Sequence, residues 1–237
     1  MPSQIIKKHI LRLYIIMRYG EEVSLKTEME QQTEYIKDGM NGLERNVKRV
    51  ADCLAAAICL ILFSPLFLIC YIGVRREDGG PAIYKQERIG RFGRPFSIYK
   101  FRSMVVDAEE DGPELCQDGG DDRRLTKFGK FLRLHHLDEL PQFWNVFMGQ
   151  MSFVGPRPER KFYIDQIMEH DRRYEYLYQI RPGITSMATL YNGYTDTMEK
   201  MLKRLEMDLE YLRHRSWALD IKILGLTFTK ILFGRRI

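Results

Sequence analysis

The chain has 237 residues, a formal net charge of +5 and 45% hydrophobic residues. That length allows one full domain, or one domain with an extension, and is ample for a buried core. The charge excess is too mild to establish a polyanionic partner and no nucleic acid is expected; it fits a protein lying against anionic lipid or handling phosphates. Three of the four cysteines (Cys53, Cys59, Cys70) fall in one apolar run and Cys116 stands alone in a polar stretch. No disulfide or zinc spacing results, so a reducing compartment is expected.

The first elements are an apolar stretch from Ile5 to Tyr19, scattered with Lys7, Lys8, His9, Arg12 and Arg18, and a polar, acidic one from Glu21 to Asn46. The bases and the lack of a small-residue cleavage site argue against a secretory signal. An amphipathic helix on a membrane surface and a soluble helix packed on the core are both open readings. Residues 1–46 are therefore set apart as an extension, a helix plus linker.

"VADCLAAAICLILFSPLFLICYIGV", Val50 to Val74, carries Asp52 as its only charge and is long enough to cross a bilayer. Ser64-Pro65 interrupts it, and proline removes a backbone donor and clashes with the preceding turn, so a bend is expected there. The Ser64 hydroxyl is placed to satisfy a freed carbonyl. Arg45, Lys48 and Arg49 flank one end, Arg75 and Arg76 the other. Positive flanks favour the cytoplasmic side, so a helix that enters, breaks and returns satisfies both ends. Residues 47–76 are read as such a re-entrant segment, in preference to a kinked span or a buried soluble helix.

The remainder, 77–237, is read as a cytosolic or interfacial catalytic domain. "AIYKQERIGRFGRPFSIYKFRSM" alternates over Ile83–Gln86 and Phe96–Phe101 around Gly90 and Gly93, which predicts a β-hairpin. Its bases, Arg88 and Lys100 among them, rest on lipid headgroups or reach a diphosphate. Asp107 to Asp122 reads as a mobile acidic loop; metal binding by Asp118, Asp121 and Asp122 is the less usual role for such a composition. Leu125, Phe128 and Leu132 recur at helical spacing. Arg157 between two prolines and Arg181 before Pro182-Gly183 are constrained arginines, suited to fixed phosphate contacts or simply rigid turns. From Trp217 onward an apolar face with basic ends predicts an interfacial helix.

Asp138 and Glu139, in "LHHLDELPQFWN", are the only carboxylates between Asp122 and Glu159. Locally they read as an ordinary helix start, with Asp138 as N-cap and Pro141 in the first turn. Among so many arginines, a carboxylate at this position is also expected to stay ionised and to be able to attack phosphorus. Adjacent helical residues diverge in direction, so the two acids would have different tasks, one attacking phosphorus and the other holding Mg²⁺ on a diphosphate.

"FSP" in an apolar helix, "YKFRSM", "RLHHLDELPQFWNVFMGQMSFVGPRP" and "RPGIT" occur in this order, and together they resemble the bacterial sugar transferases, the monotopic polyprenyl-phosphate phosphoglycosyl transferases. The resemblance covers Val47 to the C-terminus. It implies an α+β, mainly helical fold in which a re-entrant membrane helix, a small β-hairpin and interfacial helices surround a compact catalytic domain on the cytoplasmic face of the bacterial inner membrane. It implies transfer of a sugar-1-phosphate from a UDP-sugar to undecaprenyl phosphate, with UMP leaving. Asp138 matches the family nucleophile that carries the covalent phosphosugar, Glu139 the acid that works through Mg²⁺, and Arg133 a phosphate contact. Arg157 and Arg181 match by their settings, and Ser64-Pro65 falls on the family's helix break. The expected partners are the two substrates, membrane lipids and downstream glycosyltransferases, with a homodimer as one option. The segment "SMATLYNGYTD" departs from the family pattern: Ser186 stands where many members have glycine, which leaves the identity of the sugar open.

Overall fold

A computed structural model describes residues 35–108, 110, 112, 122–193 and 195–232. The amphipathic stretch at 5–19 and most of the acidic loop, with Asp118 and Asp121, lie outside the described residues. Lys37 to Ile237 form one unit.

α1 (Gly42–Leu62) starts on a reciprocal cap. The Asn41 side chain accepts from the Glu44 amide at 3.0 Å, and Glu44 accepts from the Asn41 amide at 2.8 Å. α2 (Ser64–Asp78) follows after the single residue Phe63 and ends on the left-handed Gly79. The two are bent by 63°, with Pro65 in the first turn of α2. Ser64 Oγ donates to the Ile61 carbonyl at 2.8 Å, the role expected of it. Among the described residues no single helix is long and apolar enough to cross a membrane; only the bent pair meets that requirement jointly. Its apolar side chains are turned outward, including Leu54, Ile58, Ile61, Leu68, Ile69 and Ile72. A soluble core helix would bury such residues.

The predicted hairpin is present and longer than the alternation suggested. β1 (Ile83–Ile89) and β2 (Pro95–Phe101) pair antiparallel with Ile83 opposite Phe101 and Ile89 opposite Pro95. One face carries Phe101 into a cluster with Cys70, Val74, Ala82 and Leu132; the other brings Ile98 to Ala56, Val146 and Met151. Leu132 is fully buried, and truncating it to alanine would cost about 2–5 kcal/mol. It lies on α3 (Lys127–Leu134), whose N-cap is Thr126.

A turn at Leu137–Glu139 leads to the short α4 (Gln142–Phe147). Next come β3 (Ser152–Val154), α5 (Lys161–His170), a 3-10 segment (Arg172–Gln179), β4 (Gly183–Thr185) and α6 (Met187–Asn192). β3 and β4 pair in parallel, a contact not foreseen from the two proline-bounded motifs. The pairing needs glycine on both sides. A Cβ on Gly155 would come 2.5 Å from the Arg181 carbonyl, and one on Gly183 2.1 Å from the Gly155 amide. α7 (Met198–His214) and α8 (Trp217–Leu232) complete the described residues. Buried polar links join α1 to β3 and α8: Lys48 meets Asp220 at 2.6 Å, and Ser152 Oγ donates to Asp52 at 2.7 Å.

Candidate active site

Asp138 does not cap a helix. It sits inside the Leu137–Glu139 3-10 turn, which has no side-chain cap, and α4 begins only after Pro141. The turn is entered through His136 at φ 54°, a left-handed conformation unfavourable for a residue with a Cβ. His135 closes α3, so this one strained residue redirects the chain and turns the acids into a cleft of about 690 Å³. Arg88, Lys100, Arg133 and Arg157 all line that cleft with Asp138 and Glu139.

The two acids are held differently. Glu139 Oε1 accepts from Lys100 Nζ at 2.8 Å and from Arg157 Nη2 at 2.7 Å. Burial alone would raise its pKa, but Arg157 and Lys100 outweigh burial and hold it well below the usual carboxylate range. The same contact holds Arg157 firmly protonated. Asp138 is 7% exposed and, among the described residues, accepts no hydrogen bond. Burial, then the charge of Glu139, push its pKa upward against Lys100, Arg133 and His136. Lys100, Arg133 and His136 favour the charged form of Asp138, as expected, but burial and Glu139 oppose them; Glu139 takes the compensating hydrogen bonds, and Asp138 is left the more basic of the pair.

The supporting side chains are fixed from several elements. Asn145, fully buried on α4, donates to the Ser97 carbonyl at 2.7 Å and accepts from the Tyr99 amide at 3.0 Å. It thereby locks β2 and aims Lys100. Arg133 Nε donates to Ser103 Oγ at 2.9 Å. Arg88 meets Glu159 at 3.1 Å, its buried Nε has no hydrogen-bond partner among the described residues, and Arg204 of α7 pairs with the other oxygen of Glu159. Glu159 and Arg204, both cleft residues, had not been singled out from the sequence, although Glu159 directly follows the Gly155-Pro-Arg-Pro motif.

Arg181 is placed elsewhere. Its Nε donates to the Gly149 carbonyl at 2.8 Å, and its side chain lines a separate cavity rather than the cleft. The structure does not bring it to the acid pair. Asp122 is engaged by Arg124, and among the described residues no cluster of three potential ligands could hold a metal by itself. Glu139 still suits Mg²⁺, which is commonly held by one or two carboxylates together with substrate phosphates. Lys100 and Arg157 share Oε1, so Oε2 of Glu139 remains for such a role.

Thr189, Gly193, Thr195 and Arg204 form another part of the cleft lining, and Leu224, Phe228 and Ile231 of α8 add an apolar flank. Ser186, buried, caps α6 by accepting from the Thr189 amide at 2.9 Å. The departure at Ser186 thus sets the conformation of this part.

Residues 43–234 match the family model described as bacterial sugar transferase. The chain is 38% identical to the UDP-glucose:undecaprenyl-phosphate glucose-1-phosphate transferase of Klebsiella pneumoniae, over 94% of this chain and 55% of that protein. It is 41% identical to the UDP-N-acetylgalactosamine-undecaprenyl-phosphate N-acetylgalactosaminephosphotransferase of Aeromonas hydrophila, over 79% and 44% of the two. It is 37% identical to the uncharacterized sugar transferase EpsL of Bacillus subtilis, over 81% and 90%. The chain spans about half the length of the first two relatives. With the match extending from the start of α1 through α8, the chain belongs to the bacterial sugar transferase family.

Proposed function

We propose that this protein transfers a sugar-1-phosphate from a UDP-sugar to undecaprenyl phosphate through a covalent intermediate on Asp138. The observation that carries this reading is the unequal pair: Glu139 pinned by two cations, and Asp138 buried beside it with no hydrogen-bond partner among the described residues. Environments that push two carboxyls apart assign them separate tasks. In the first step an ionised Asp138 oxygen attacks the phosphorus that bears the sugar. The bond from that phosphorus to the UMP oxygen breaks, and UMP leaves with the electron pair. In the second, an oxygen of undecaprenyl phosphate attacks the same phosphorus and the Asp138 carboxylate departs. Arg88, Arg133 and Arg157 hold phosphate oxygens, Arg157 together with Lys100 also fixes Glu139, and the buried setting strengthens each contact. Held by Glu139, Mg²⁺ would lower the repulsion between an anionic nucleophile and an anionic diphosphate.

The cleft lining combines charged side chains with apolar ones along α8, which suits a nucleotide sugar followed by a lipid phosphate. The relatives support the reaction class, and they name different sugars at similar identity. We assign sugar choice to the Ser186–Thr195 part of the cleft. The bent helix pair, outwardly apolar and basic at both ends, is read as a re-entrant segment in the cytoplasmic leaflet of a bacterial inner membrane. Cysteines introduced by Gly42→Cys and Arg76→Cys test that topology. Both are expected to react with an impermeant thiol reagent from the cytoplasmic side alone, and reaction from opposite sides would refute re-entrance. The nucleotide product tests the chemistry: UMP is expected, whereas UDP would indicate transfer of the sugar without its phosphate.

A further inference from the structure

A second cavity, of about 20 Å³, shares no lining residue with the cleft. Its volume admits one water-sized group. Separate segments converge on it: Arg45, Lys48 and Arg49 from the start of α1, Arg91 from the β1–β2 turn, Arg181 ahead of β4, and Arg215 between α7 and α8. Six cationic side chains from so many parts of the fold are more than its carboxylates can neutralise. Asp38 serves Arg45 and Arg215, Asp220 serves Lys48, and Asp52 is shared by Lys48 and Ser152.

Three guanidinium groups are left over. Arg49 donates to the Val146 and Phe147 carbonyls at 2.7 Å each, Arg91 to the Gln179 carbonyl at 3.0 Å, and Arg181 to the Gly149 carbonyl at 2.8 Å. Among the described residues none of the three forms an ion pair. Carbonyls orient a guanidinium but do not cancel its charge, and like charges held together at a half-buried site repel one another. The repulsion is felt: burial and then the neighbouring arginines lower the pKa of both Arg91 and Arg181. An oxyanion relieves it, and a guanidinium fork matches phosphate oxygens in pairs.

We propose that this cavity is a second phosphate site, one phosphoryl oxygen entering between Arg49, Arg91 and Arg181, and that an anionic phospholipid headgroup supplies it. The position on α1 selects the headgroup. Arg49 precedes the outward apolar residues Val50 and Leu54 on the same helix. At 1.5 Å per residue, the cavity lies within about one to two turns of the surface that would meet hydrocarbon. Lipid phosphates occupy that depth, and juxtamembrane bases attract them.

The test uses the full chain purified in detergent, as wild type and as R91Q/R181Q. One arm counts phosphatidylglycerol and phosphatidylcholine retained per protein by native mass spectrometry. The other follows thermal stability with inorganic phosphate in lipid-free micelles. Wild type is expected to retain phosphatidylglycerol over phosphatidylcholine about tenfold better than the variant, equivalent to about 1.4 kcal/mol. Only wild type is expected to be stabilised by inorganic phosphate. A phosphate response without phosphatidylglycerol retention would overturn the headgroup assignment, and equal responses of wild type and variant in both arms would overturn the site. Should the glutamine pair not fold, R91K/R181K keeps the charges but loses the forks, and weakened retention is expected of it; unchanged retention would contradict the proposal. Because inorganic phosphate needs no membrane, the site's failure is distinguishable from failure of the re-entrant topology.

Discussion

The acid-pair cleft and the arginine cavity beside α1 are both rich in guanidinium groups, yet they settle their charge in different ways. In the cleft Arg157 and Lys100 converge on Glu139, and Arg88 and Arg204 on Glu159, so each of these cations meets a carboxylate, while the acid Asp138 accepts no hydrogen bond among the described residues. In the cavity the acids are spoken for, and the odd groups out are cations, Arg49, Arg91 and Arg181. A site that leaves a carboxylate unpaired is arranged for attack on an electrophile. One that leaves cations unpaired is arranged for holding an anion.

The sharpest way to break that contrast is to remove the unpaired acid. Asp138→Ala is expected to lower UMP release by roughly 10³-fold or more, as losses of covalent nucleophiles do. Next in size is Arg157→Ala, which leaves Glu139 with Lys100 as its one remaining cation. Arg157 is half-buried and Lys100 remains, so losing this one charge-assisted hydrogen bond should cost about 2 kcal/mol, read as a lowered denaturation midpoint. Losing a charge-stabilising donor should also slow turnover about 100-fold. Arg181→Ala, outside the cleft, should leave turnover of a soluble UDP-sugar within about threefold of wild type. A larger loss would return Arg181 to the reaction.

A smaller effect concerns Asp208, on the buried stripe of α7. Burial pushes its carboxyl to about 7, Arg204 opposes and Glu159 reinforces the shift, and its Oδ1 has no hydrogen-bond partner. A carboxyl raised in the folded state stabilises fully below the ordinary value of 3.8, and that contribution is lost as pH climbs through about 7. Asp208→Asn cannot ionise, so its advantage over wild type in thermal denaturation should grow from pH 5 to pH 8, by about 2.5 kcal/mol at most. An advantage that shrinks over that range would show that Asp208 ionises without cost. The smallest expected effect is that of Ser64→Ala, which removes one hydroxyl-to-carbonyl bond at the helix break and should cost about 1 kcal/mol or less.

What could be read from the sequence follows from the range of the forces involved. The hairpin was legible because alternation and two glycines are local, and the helix break because proline acts on its own turn. The β3–β4 pair was not, since two three-residue strands about thirty positions apart carry no periodic signal, and the Gly155–Gly183 approach exists only once they meet. Asp138 was misread as an N-cap because the left-handed residue ahead of it is a histidine, where glycine or asparagine is the usual sign. Arg157 and Arg181 lie in similar proline-bounded settings, and only the folded chain sends one to the cleft and the other to the cavity. Asp208 was open to detection: it shares the helical spacing of Met201, Leu205 and Leu212 and is the one acid on that stripe.

The central claim, that Asp138 carries the sugar phosphate between donor and lipid, is tested most directly by intact-mass spectrometry of the protein incubated with a UDP-sugar and Mg²⁺ before any lipid acceptor is added. The account predicts a mass gain equal to one sugar phosphate, mapped to Asp138, matched by released UMP and removed on adding undecaprenyl phosphate. Turnover with no adduct at any stage, or an adduct that persists after Asp138→Ala, would contradict it.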